Sequence, residues 1–166
     1  MSPWTWRRCA LPALLLALPL LAASATSDPA PEEVPMQRIS GAFDVKMTPN
    51  PAADTADSGA KHYRLDKRYH GELDATAVGV MTAHVTGVEG SAGYVAIERV
   101  TGTLAGRSGS FVLQHSGLMD RGAKELDIRV VPDSADGELG GLRGRMQIRI
   151  ETGGAHFYDF EYRLPD

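Results

Sequence analysis

Cysteine is nearly absent: the 166 residues hold one, Cys9. One cysteine cannot form a disulfide within the chain, so a disulfide framework is excluded. Aromatic residues are few, at 7%. Charge of one sign is lacking as well, since 17 Lys+Arg stand against 21 Asp+Glu, a net −4 with the signs interspersed. That balance argues against nucleic acid or an anionic membrane surface as partner. The one long apolar run, from Ala10 to Ala22, is short for a membrane span. Beyond it, no segment shows a sustained helical period of apolar residues.

What is present begins with an export pattern. Arg7 and Arg8 form a positive start, the Leu/Ala-rich run follows, and Ala23-Ser24-Ala25 supplies small residues at signal-peptidase spacing. The expectation is a signal peptide over 1–25, cleaved after Ala25, and a periplasmic or secreted product. Pro12, Pro19 and the small-residue exit argue against an uncleaved anchor. Cys9-Ala10-Leu11 fits the twin-arginine pattern poorly, and Cys9 precedes the run, so no lipid anchor is indicated. Without Arg7 and Arg8 the chain carries 15 basic and 21 acidic residues, a net −6. Residues 26–35, with Pro29, Pro31, Pro35, Asp28, Glu32 and Glu33, cannot bury a core and read as a disordered linker. No stable membrane insertion is expected after cleavage.

The remaining 36–166 reads as one domain. Period-2 alternation recurs there, bounded by Gly, Asp, Ser and Pro. Expected strands cover about 39–47, 61–71, 76–86, 93–104, 109–117, 123–131, 144–152 and 155–164, with a loop over 48–60. Eight strands in so short a chain favour an all-β, mainly antiparallel, eight-stranded closed barrel, because closure removes exposed edges. Such a barrel has an interior just wide enough for side chains or one small ligand.

Two hairpins assign the faces. A four-residue loop Ala105-Gly106-Arg107-Ser108 pairs Leu104 with Gly109. Glu98 then lies opposite His115 on an inward face that is otherwise apolar: Leu104, Val100, Phe111, Leu113 and Tyr94. In the last hairpin, a three-residue loop places Ile150 opposite His156, Ile148 opposite Tyr158 and Met146 opposite Phe160, with Arg145 opposite Glu161 outside. Burial and charge pairing agree in that register.

The stretch Glu98-Arg99-Val100-Thr101-Gly102-Thr103-Leu104, continued by Gly106-Arg107-Ser108-Gly109-Ser110-Phe111-Val112-Leu113-Gln114-His115-Ser116-Gly117, resembles the signature of a bacterial family of unknown function. Gly137-Glu138-Leu139-Gly140-Gly141-Leu142-Arg143-Gly144 resembles its second block. The resemblance spans roughly Arg38 to Tyr162. It implies a closed barrel similar to those of allene oxide cyclase and dirigent proteins, and a pocket, but no established activity. The export signal sets this chain apart from typical short cytosolic members.

The candidate chemistry centres on Glu98 and His115. A carboxylate beside an imidazole in an apolar interior is suited to acid–base work; it is equally suited to holding the fold together. Tyr94, Tyr158 and His156 are candidate ligand-binding residues, each alternatively a core residue with one polar handle. Gly106-Arg107-Ser108-Gly109 superficially resembles a nucleophile elbow, but Ser110 replaces the required glycine and no helix follows. A phosphate loop fails for the same reason. His62, His70, His84, His115 and His156 show no i, i+2 spacing, so no metal or other cofactor is expected. Two function classes stay open: a binding module for a small, mostly apolar molecule, and a cofactor-free isomerase or cyclase using Glu98 and His115. A purely structural envelope protein is a third.

Overall fold

The computed structural model describes residues 35–54 and 58–165. The expected signal peptide and nearly all of the expected linker lie outside these residues. Nine strands are present: β1 (Gln37–Pro49), β2 (Lys61–Tyr69), β3 (Leu73–Val85), β4 (Ala92–Leu104), β5 (Arg107–Asp120), β6 (Ala123–Val130), β7 (Asp136–Gly137), β8 (Arg143–Ile150) and β9 (His156–Arg163). Eight are long, and β7 is a two-residue bridge on β5. Each long strand pairs antiparallel with the next, and β1 pairs with β9, closing the barrel. The ladders are long except β6–β8, where only Ile128↔Met146 and Arg129↔Arg145 are in register. The loop expected over 48–60 includes a short 3-10 turn, Pro51–Ala53.

The β4–β5 register differs from the expected one. The turn has two residues, Ala105 and Gly106, both at positive φ (49° and 83°). Leu104 therefore pairs with Arg107, Val100 with Phe111, Glu98 with Leu113 and Ala96 with His115. Positive φ at both central positions gives the turn a hand that matches the strand twist, so no longer loop is needed. The turn was hard to read because Ala, unlike Asn or Gly, is seldom found there. The slip is two residues, so every side chain keeps its face. The last hairpin has the expected register throughout, with Ile150↔His156, Met146↔Phe160 and Arg145↔Glu161 paired.

Inward residues divide the barrel lengthwise. Towards one end Leu73, Leu104, Phe111, Phe160 and Tyr162 are essentially excluded from solvent. Phe111 stacks on Phe160 and Phe160 on Tyr162. Leu139 and Leu142, from the segment between β7 and β8, join this packed layer. Asp136 and Glu138 hold that segment to β5, accepting hydrogen bonds from the Ser110 and Ser108 amides at 2.8 and 2.7 Å. At the other end the inward residues are Met47, Tyr63, Met81 and Tyr94, none fully buried.

Candidate functional site

Between the packed layer and the open end lies a buried polar cluster. Its members come from β2, β4 and β5, and β3 makes their meeting possible. The inward face of β3 is small: Ala75, Ala77 and Gly79. A Cβ on Gly79 would sit 2.7 Å from the Glu98 Cβ. Over this low face Lys67 of β2 reaches Glu98 of β4, with Lys67 Nζ 2.8 Å from Glu98 Oε2. Tyr69 donates its hydroxyl to Glu98 Oε1 at 2.7 Å. His115 of β5 brings Nε2 to 3.2 Å from the same oxygen. Lys67 also lies 5.3 Å from the Phe43 ring centroid and 5.8 Å from that of Tyr69, within cation–π range.

Glu98 is wholly excluded from solvent, and His115 and Lys67 nearly so. The two ion contacts are close but poorly aligned, so Glu98 Oε2 and His115 Nε2 lack a well-directed hydrogen bond. Burial pushes the Glu98 carboxyl up. The contact with His115 and the charge of Lys67 outweigh burial and hold it down at about 2. Glu98 is therefore an anion across the physiological range. Burial, reinforced by the Glu98 charge, pushes the Tyr69 hydroxyl well above its ordinary value, so it stays a donor. Burial and then Glu98 also raise Tyr94.

Next to the cluster is a cavity of about 330 Å³. Its walls are chiefly apolar, including Phe43, Val45, Leu65, Met81, Ala96 and Ile148. The polar side chains among its lining residues are Lys67, His115, Tyr94 and His156. Glu98 does not line it: the carboxylate stands behind Lys67 and His115. A second cavity of about 280 Å³ shares Met81, Tyr94, Leu126 and Ile150 with the first.

The structure thus brings Glu98 and His115 together as diagonal, not directly opposed, neighbours. It places Tyr94 and His156 on the cavity wall, where His156 packs 5.1 Å from Phe43. Tyr158 is placed elsewhere. It is fully buried, packs edge-on to Tyr69 and donates to the His70 carbonyl at 3.0 Å, away from the cavity lining. The alternation did not single out Lys67 and Tyr69 as site residues. The signal was available, because Lys67 shares the inward phase of Tyr63, Leu65 and Tyr69. Among the described residues, no three His, Cys, Asp or Glu side chains group as metal ligands.

No functionally curated protein matches the chain. A crystal structure of a protein with unknown function from Shewanella oneidensis MR-1, assigned to the DUF3224 family, is 49% identical. It covers 80% of this chain and 99% of its own, with a TM-score of 0.74. Residues 39–162 match that family itself, described as "Protein of unknown function (DUF3224)". With the match running from β1 into β9 and taking in the whole buried cluster, the chain belongs to the DUF3224 family.

Proposed function

We propose that this is an exported barrel, periplasmic or secreted, that binds a small, mostly apolar molecule in its open half. One observation carries the reading: a cavity of about 330 Å³ whose chiefly apolar walls hold four polar side chains, Lys67, Tyr94, His115 and His156. Small-ligand sites have this make-up, and their volumes start at roughly 300 Å³. The N-terminal export pattern supports the location. Fluorescence titration with the uncharged probe N-phenyl-1-naphthylamine tests the binding. Saturable one-to-one binding is expected, lost in Ala96→Phe or Val45→Trp variants that fill the cavity yet melt cooperatively. Unchanged binding in folded variants of both would refute it.

A second reading is favoured by the 3.2 Å contact of Glu98 with His115. In a cofactor-free isomerase or cyclase the imidazole carries the proton. Glu98, held at about 2, is too weak a base to do so at neutral pH and instead orients the ring. This reading requires turnover that disappears in His115→Gln while probe binding persists.

A further inference from the structure

The outer wall carries a second feature, independent of the cavity. Arg129 stands opposite Arg145 across β6–β8, and Arg143 opposite Arg163 across β8–β9. Their chain neighbours Ile128, Val130, Met146, Tyr162 and Leu164 are buried, so alternation turns all four arginines outward. Together they line a groove of about 320 Å³.

Like charges directly opposite each other destabilise a sheet. Two such pairs adjoin here, one of them on the short β6–β8 ladder. Carboxylates offset only half of the charge: Asp127 lies 2.8 Å from Arg129 and Asp133 lies 2.7 Å from Arg143. Glu161, the cross-strand partner of Arg145, is engaged by Arg38. Among the described residues neither Arg145 nor Arg163 has an ion pair. Arg143 Nη1 is buried without a hydrogen-bond partner. The groove therefore holds two guanidinium groups without an ion pair, Arg145 and Arg163, in a chain that is acidic overall.

We propose that this groove binds a dianionic phosphate, as the free ion or as the head of a small monoester. Guanidinium forks suit phosphate oxygens, which accept paired N–H bonds. A phosphate monoester carries about −1.5 to −2 charge near pH 7 and so offsets both free arginines, whereas a carboxylate or a sulfate ester brings one charge.

The test is calorimetric titration of the full chain at pH 8 and fixed ionic strength, with inorganic phosphate, phenyl phosphate and phenyl sulfate as probes. Saturable phenyl phosphate binding is expected, at least about tenfold tighter than phenyl sulfate, a difference of ~1.4 kcal/mol. If inorganic phosphate matches phenyl phosphate, the groove reads the ion; if it binds more weakly, the groove reads a monoester. Arg145→Gln and Arg163→Gln should each lose most of the affinity. Because each removes a like-charge contact, neither should lower the melting temperature in phosphate-free buffer. Arg149→Gln, outside the groove and paired with Asp159, should bind normally. No saturable binding of either phosphate would overturn the proposal. So would equal affinity for phenyl sulfate, or an equal loss in Arg149→Gln.

Discussion

At the scale of single residues, Glu98 organises the interior. An ionised carboxylate without solvent contact persists only when paired, and Lys67, Tyr69 and His115 share that task. Its folded value of about 2 lies below the ordinary 4.5. A depressed acid contributes stability that is present above 4.5 and lost as pH falls towards 2. The shift corresponds to on the order of 3 kcal/mol. Acid titration of the wild type should therefore show a loss of stability between pH 4.5 and 2. Glu98→Gln should flatten that part of the profile, and denaturant melts across the range check it. Removing the carboxylate outright leaves Lys67 buried and unpaired. Glu98→Ala should cost about 3–5 kcal/mol, and Lys67→Met combined with Glu98→Leu should cost less than the sum of the two single changes.

Alternation made Glu98, His115, Tyr94 and His156 legible as inward residues, because one parity of β4, β5 and β9 is otherwise apolar. Lys67 was less so, since lysine is seldom buried and its partner lies two strands away, across Gly79. Tyr158 shows the same limit from the other side. Parity assigns a face, but height along the barrel depends on the stagger of the strands, which no single strand records.

At the scale of elements, the β4–β5 hairpin and β3 carry the site. Ala105, at φ 49°, occupies a conformation that costs a non-glycine residue roughly 1–2 kcal/mol. Ala105→Gly should relieve part of this and raise stability by up to ~1 kcal/mol, whereas a four-residue loop would give no such gain. On the same hairpin Leu113 is fully buried and Gln114 exposed. Leu113→Ala should cost about 2–5 kcal/mol and Gln114→Ala little. Gly79→Ala would push a methyl to 2.6 Å from the Ile97 carbonyl oxygen and 2.7 Å from the Glu98 Cβ. Both neighbours are held by the barrel backbone, so a clear drop in melting temperature is expected. The strand count was legible from the turns. The two-residue register slip was not, because Ala105-Gly106 lacks the Asn or Asp that advertises a tight hairpin.

At the scale of the whole molecule, closure is uneven. The β6–β8 ladder registers two residue pairs, whereas β4–β5 runs from Ala92↔Met119 to Leu104↔Arg107. Native-state hydrogen exchange should find the β6 and β8 amides opening before those of β3, β4 and β5. The outer face differs too: Val80 and Ile97 are exposed there as a cross-strand pair, giving an apolar probe an alternative place to settle. Whether the interior is the binding place is read by methyl-resolved NMR during titration with N-phenyl-1-naphthylamine. The prediction is saturable shifts at Leu65, Leu126 and Ile148 with Val80 and Ile97 unmoved. Shifts confined to Val80 and Ile97, with the cavity methyls silent, would contradict it.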